Sequence, residues 1–292
     1  MLENFSGISE VVVVDLKQRR FIEKISSFAA LHRAYRGRFD LIIDFQGLLK
    51  SSFLGFALGG MRLGFHRRNL RESLSAVFYN RTPPYFSEDR HVIFKNIHLL
   101  SPLGITGGEL VYPFRKPRPS VLLQNFFQAS DLAAGKWVVV NVGGGWPSKI
   151  LQPEQLEELT RCLTGRFRVV LLWGNAAEGR VAGRIAEKTG AVQSPLLNFG
   201  DLIFLLQRCT LLISADTLAL HLADMVRTPS IGIFGPTSPA RNGSLLPESV
   251  AVHEKLECQY CYRRKCDTME CIRKIDLTEI IRISGRMYNE RS

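Results

Sequence analysis

Short apolar runs recur along this chain, each separated from the next by a stretch of helical length, and that alternation admits few architectures. The runs EVVVVD (10–15), DLIID (40–44), MRLGF (61–65), WVVVN (137–141), RVVLLW (168–173), LLIS (211–214) and SIGIF (230–234) are read as strands. They are apolar throughout rather than alternating, the pattern of strands covered on both faces. Residues 21–35, 48–58, 89–103, 153–163, 178–189, 202–208 and 218–225 are read as helices, and 66–81 as an Arg-rich loop passing into one. Strands alternating with helices imply an α/β class with parallel sheets. In such sheets, ligands bind at the carboxyl ends of the strands.

The alternation is interrupted once. YPFRKPRPS (112–120) packs three prolines and three basic residues into nine positions, a linker composition. Two Rossmann-like domains are therefore expected, 1–118 and 119–257, followed by a cysteine-rich segment and final helix at 258–292. The first run has only about three strands, fewer than a doubly wound sheet needs, so this domain reads as missing its first strands. No apolar run reaches the ~18 residues of a membrane span. MLENFSGISE also lacks the charged-then-apolar order of a secretory signal, so a soluble, cytoplasmic protein is expected.

Charge sharpens the division. The net charge is +11, from 38 Lys and Arg against 27 Asp and Glu. Residues 1–118 carry 18 basic and 10 acidic side chains, whereas residues 119–257 carry 12 of each. A basic first half beside a neutral second half points to an anionic partner of the first. Nucleic acid fits the charge alone; the chain shows no RRM-type aromatic signature, zinc-finger histidine spacing or obvious recognition helix, so no nucleic-acid partner is expected.

Several strand-end loops carry groups suited to chemistry. NVGGGWPSK (141–149) brings three consecutive glycines and then Lys149. The glycines permit a tight turn or a phosphate cradle, and Lys149 is a point charge suited to phosphate. Neither GxxxxGK[ST] nor GxGxxG is present. SADTLALH (214–221) offers Asp216 or Thr217 as a cap for the next helix and puts His221 on its second turn. In WGNAAE, Glu178 suits either a helix dipole or a ribose. In the basic half, DFQGLLK (44–50) precedes Arg67, Arg68 and Arg71; arginine clusters bind phosphate or carboxylate, or are simply solvated.

Together and in order, DFQGLLKSS (44–52), RES…FYNR (71–81), WPSK (146–149), WGNAAE (173–178), ADTLALH (215–221) and FGPTSP (234–239) resemble the ADP-heptose:lipopolysaccharide heptosyltransferases. These are inverting glycosyltransferases of the GT-B fold, and the likeness is nearest to the enzymes that add the first heptose. The resemblance implies that the second domain binds an ADP-sugar donor. Gly144, Gly145 and Lys149 would lie at its phosphates, with Asp216, Thr217, Leu218 and His221 around the diphosphate and sugar. Glu178 would hold the ribose. The first domain would bind a lipopolysaccharide inner-core and lipid A acceptor through Asp44, Gln46, Lys50 and Arg71. The protein would sit peripherally at the inner face of the cytoplasmic membrane and require no cofactor. Two positions depart from the family. Leu218 replaces a glycine, and the family's first loop, with the aspartate that acts as general base, has no counterpart. Either the true start lies upstream, or the chain is a catalytically impaired nucleotide-sugar-binding homologue.

Cys258, Cys261, Cys266 and Cys271 form C-x2-C-x4-C-x4-C. The spacing suits tetrahedral zinc and equally suits reduced thiols packed in a surface loop. Cys162 and Cys209 are read as core.

Overall fold

The computed structural model describes residues 5, 7–13, 21–114, 117–130, 132 and 136–290. It divides into two compact units, Ser9–Val111 and Tyr112–Ser292, the latter joined by Met1–Ile8. The division falls at Val111/Tyr112 rather than after residue 118. Tyr112 and Phe114 pack against the core of the second unit. Ser120 fastens the end of this segment to Asp201, donating from its backbone N at 2.8 Å and from Oγ at 2.7 Å. The proline-rich stretch is therefore built into the second unit, and the segment beyond residue 257 belongs to that unit as well.

In the first unit, helix α1 (Phe21–Tyr35) leads to strand β1 (Leu41–Ile43), helix α2 (Leu49–Leu58) and strand β2 (Met61–Leu63). The two strands pair in parallel, Leu41 with Met61 through Ile43 with Leu63. Helix α3 (Val92–His98) follows. Two expectations differ here. Residues 10–13 form no strand, and Val14 and Asp15 lie outside the described residues. Val12 and Val13 are exposed, and residues 10–13 pair with no strand among the described residues. The expected α-helix before Arg81 is instead a pair of short 3-10 turns, Arg67–Asn69 and Ser73–Phe78. The Ser75 hydroxyl donates to the Glu72 carbonyl at 2.6 Å, a local bond that competes with helical continuation.

The second unit opens with α4 (Val121–Ala129) and then alternates without a break: β3 (Trp137–Asn141), α5 (Pro153–Thr164), β4 (Arg168–Leu172), α6 (Ala176–Thr189), β5 (Val192–Gln193), α7 (Phe199–Arg208), β6 (Leu211–Ala215), α8 (Leu218–Met225) and β7 (Ser230–Phe234). It ends with α9 (Pro239–Asn242), β8 (Val250–His253), α10 (Glu270–Arg273) and α11 (Leu277–Asn289). All strands pair in parallel in the order β5-β4-β3-β6-β7-β8.

The wholly apolar strands follow from this architecture. Val138 and Val140 of β3, with Val169 and Leu171 of β4, face a core formed with α5, α6 and α11. Trp137 and Val139, with Val170 and Leu172, face the opposite core formed with α4, α7 and α8. Each strand must be apolar at every position because both faces are covered. Helix α5 shows the complementary rule. Leu156, Leu159 and Leu163 recur at helical spacing on its buried face, while Pro153 opens its first turn where no N–H partner is needed. Cys209 is buried as expected, whereas Cys162, on the outer face of α5, is exposed. Among the described residues, no helix is long and apolar enough to cross a membrane.

Candidate functional site

Neighbouring β3 and β6 run in parallel although α5, β4, α6, β5 and α7 separate them in sequence. The chain reverses its winding direction between them, which leaves a crevice at their carboxyl ends. A cavity of about 340 Å³ opens there, lined by Asn141 and Gly143–Gly145 after β3, Trp173 and Glu178 after β4, and Thr217 and Leu218 after β6. Its size suits a small organic ligand. A larger open groove of about 710 Å³ lies over α1 and α2, bordered by Phe28, His32 and Arg36. That groove is lined by α1, the turn after it and the end of α2, and by none of the strand-end motif residues.

Glu178 is the clearest case of a side chain recruited from one loop to hold another. The N-terminus of α6 is capped by Asn175, whose Oδ1 accepts from the N–H groups of Ala177 at 3.0 Å and Glu178 at 3.1 Å. Asn175 thereby satisfies two of the free N–H groups, and Glu178 stands in the first turn as its acid. The Glu178 carboxylate accepts from Gly144 N–H at 3.2 Å and Gly174 N–H at 2.7 Å. Gly143 is the position that permits this: a Cβ there would fall 2.0 Å from Glu178 Cδ. Gly145 faces open space, and a Cβ on Gly144 would press on Thr217 at 3.1 Å. Of the three glycines, Gly143 is thus the one on which the observed Glu178 placement depends, and motif reading passed over it in favour of its two neighbours.

Asn141, at the end of β3, ties the two sides of the crevice. Its Nδ2 lies 3.2 Å from the Gly143 carbonyl, 3.0 Å from Ser214 Oγ and 3.1 Å from Thr217 Oγ1. Thr217 occupies the N-cap position of α8, but its hydroxyl is engaged with Ser214 and Asn141 and makes no cap bond. Nor does Asp216 cap the helix. The first N–H groups of α8 are therefore uncapped by any side chain and border the cavity, an arrangement that favours an anion. Leu218, the residue at the family's glycine position, is half-exposed on the cavity wall.

Asp216 instead pairs with Lys149. Lys149 Nζ lies 2.7 Å from Asp216 Oδ2, and both side chains are largely buried. Asn242 Nδ2 donates to the same oxygen at 3.0 Å, and His221 Nε2 stands 3.6 Å from Oδ1. Burial alone would raise the Asp216 carboxyl. The neighbouring His221 and Lys149 outweigh that and hold it well below the usual carboxylate range. Lys149 Nζ also lies 4.2 Å from the centroid of the Trp146 ring.

In the first unit, the DFQGLLK loop is organised around Asp44, which is buried. Its Oδ1 accepts from Gln46 N–H at 2.8 Å and Gly47 N–H at 3.1 Å; Oδ2 accepts from Ser51 Oγ at 2.8 Å and Tyr79 Oη at 2.7 Å. Burial and the hydrogen bond to this carboxylate push the Tyr79 phenol well above its ordinary value. Gly47 adopts φ +65°, the left-handed conformation the turn requires. Asp44 is thus turned inward, its four acceptor positions taken by the loop backbone, Ser51 of α2 and Tyr79. Gln46, Lys50 and Arg71 are exposed, and their side chains make no hydrogen bond or ion pair among the described residues. Glu72, beside Arg71, accepts from Leu49 N–H at 2.7 Å and fixes this segment to the start of α2.

The four clustered cysteines are all free thiols, Cys258 and Cys261 exposed and Cys266 and Cys271 partly buried. Among the described residues, no group of three or more His, Cys, Asp or Glu is placed to hold a metal ion. Burial, then the charges of Cys258, Cys261 and Cys266, raise the Cys271 thiol. Hydrogen bonds from Thr268 and the Met269 N–H lower that of Cys266.

A family model described as glycosyltransferase family 9 (heptosyltransferase) matches residues 28–272. Lipopolysaccharide heptosyltransferase 1 of Pseudomonas aeruginosa is 29% identical over 231 residues, which are 78% of this chain and 63% of that protein. The match thus spans less than two thirds of that relative's length. The protein of the same name from Escherichia coli K12 is 26% identical over 250 residues, 82% of this chain and 75% of that one. Among solved structures, a family 9 glycosyl transferase from Veillonella parvula aligns with a TM-score of 0.76 at 19% identity, covering 97% of this chain and 83% of that chain. The E. coli heptosyltransferase WaaC with ADP aligns at 0.67 and 21% identity, covering 91% and 78%. These likenesses show a shared GT-B fold.

Proposed function

The chain belongs to glycosyltransferase family 9, the heptosyltransferase family, and from that premise we propose that it transfers a heptose from an ADP-sugar to a lipopolysaccharide inner-core acceptor, with inversion and without a metal. The observation that carries the proposal is the convergence of Gly144, Glu178, Lys149 and Asp216 at the carboxyl ends of β3, β4 and β6.

In this reading, the ribose hydroxyls of the donor meet Glu178, and the diphosphate lies along Gly143–Gly145 toward Lys149. The uncapped N–H groups of α8 supply positive dipole where charge develops on the departing phosphate. Thr217 and His221 border the sugar. Lys50, Arg71 and Gln46 meet the acidic acceptor, and the basic first half draws the protein to the anionic inner face of the cytoplasmic membrane.

A second reading, donor binding without transfer, is favoured by the state of Asp44. This acid belongs to the strand-end motif of the basic half, yet both its oxygens are filled by four donors, so it is not poised to take a proton. One experiment separates the two. Calorimetric titration with ADP is followed by incubation with ADP-heptose and a lipid A acceptor bearing 3-deoxy-octulosonic acid, with products read by mass. Binding with a heptose-sized gain supports transfer, and binding without it supports the second reading. Absence of ADP binding at millimolar concentration overturns both.

A further inference from the structure

Two cations stand against one indole beside the crevice. Lys149 Nζ is 4.2 Å from the Trp146 ring centroid and Arg264 Cζ is 5.2 Å from it. Their other contacts differ. Lys149 is matched by the buried Asp216 carboxylate at 2.7 Å, so the pair brings little net charge to an incoming anion. Arg264 is exposed and has no carboxylate partner among the described residues.

The backbone that carries Arg264 is nevertheless fixed. Ser148, buried in the WPSK loop, donates its hydroxyl to the Arg263 carbonyl at 2.7 Å. Tyr262 N–H donates to the Pro236 carbonyl at 2.9 Å, and the Tyr262 ring lies 5.7 Å from the Arg241 guanidinium. Residues 262–264 are therefore tied both to the loop after β3 and to the FGPTSP loop after β7. Tyr262 takes φ 55° to make the turn, an uncommon conformation for a bulky residue. A guanidinium on a long stem, stacked on an aromatic face and anchored at its base, is a planar fork able to bind phosphate through two N–H groups.

We propose that Arg264 binds the diphosphate of the nucleotide donor and supplies the unmatched positive charge that the Lys149–Asp216 pair does not. The cysteine-rich segment is then a wall of the donor site. The inference rests on the donor reading above and adds to it a residue outside the six motifs.

The test is calorimetric titration of the full chain with ADP and, separately, with adenosine. It compares the wild type, Arg264→Ala, Arg264→Lys and, as a remote control, Arg273→Ala. Loss of one charge-assisted contact to phosphate predicts that Arg264→Ala weakens ADP about tenfold, leaves adenosine unchanged and flattens the salt dependence of ADP binding. Arg264→Lys recovers part of the loss, and Arg273→Ala matches wild type. Unchanged ADP affinity in Arg264→Ala, or equal losses for ADP and adenosine, overturns the proposal while leaving the donor reading intact. A wild type that binds neither ligand overturns both.

Discussion

The Lys149–Asp216 pair offers the sharpest test of how the crevice is held. At 2.7 Å, with an effective dielectric of about 20, the attraction is about 6 kcal/mol. Against it stands the desolvation of two side chains that keep only 13% and 5% of their surface exposed, which cancels most of that gain. Asn242 and His221 remain beside the carboxylate when Lys149 is removed, so the orphaned charge is only partly stranded. The expected coupling is therefore about 2 kcal/mol, below the full cost of breaking an isolated buried pair. The assay is a double-mutant cycle of Lys149→Met and Asp216→Asn, read by urea unfolding at pH 7. Each single variant should lose more than the coupling value, and the double variant should be less destabilised than the sum. Because the folded carboxyl is held below its ordinary 3.8, its stabilisation is present above that pH. It fades as pH falls toward the lower folded value, so the gap between wild type and Asp216→Asn narrows below about pH 4. A coupling under about 0.5 kcal/mol would refute the claim that the pair is a buried, mutually compensating unit.

The remaining predictions concern other parts of the molecule. Gly143→Ala puts a Cβ 2.0 Å from Glu178 Cδ, whereas Gly145 faces open space. The first substitution should weaken ADP binding roughly tenfold or more and the second by under about twofold, by calorimetry; equal effects would show that Glu178 does not press on this loop. Tyr79→Phe removes one of two donors to Asp44 Oδ2 and should cost about 1–2 kcal/mol in urea unfolding, with a change below ~0.3 kcal/mol counting against the hub. In alkylation at pH 7.5 followed by peptide mapping, Cys266, whose thiol is lowered, should react ahead of Cys271, whose thiol is raised. Buried Cys209 should react only on unfolding, and Cys271 reacting first would contradict the assignment.

What could be read from sequence was what local pattern controls. The strands of the second unit were legible because double-sided burial forces every position of WVVVN and RVVLL to be apolar. The same criterion misled at residues 10–13, where an apolar run forms no strand among the described residues. The segment before Arg81 was misread because a side-chain bond from Ser75 to Glu72 competes with helix, an effect that periodicity does not register. Among site residues, strand-end loops pointed to Lys149, Glu178 and Asp216. They did not reveal that Asp216 holds Lys149 rather than capping α8, because that choice depends on a partner 67 positions away. Gly143 could have been singled out only by knowing that Glu178 crosses to it, and Arg264 only by knowing that residues 262–264 fold onto the loops after β3 and β7.

These long-range ties share a direction: each crosses the crevice from one strand end to another. Asn141 binds across to Ser214 and Thr217, Glu178 across to Gly144, and Lys149 across to Asp216. Each bond joins the end of one strand, or the segment leaving it, to that of another strand of the same sheet. A loop at a strand end has few apolar contacts of its own and would open locally at low cost. Joined to its neighbours by buried or half-buried polar bonds, it can move only if they move too. The sheet is held by wholly apolar strands, so the polar side chains at their ends are free to be arranged for a ligand. Preorganisation of this kind leaves less ordering to be done when an anion arrives. It also places the ionic groups where dipoles and charges act in a partly water-excluded space. The exposed Gln46, Lys50 and Arg71 of the first unit make no such side-chain bonds among the described residues, while Asp44 holds the Gln46 backbone and Glu72 the start of α2. A crevice cross-tied by polar bonds and an exposed cationic surface are what the proposed transfer would call for, since its donor is small and constant and its acceptor large and variable.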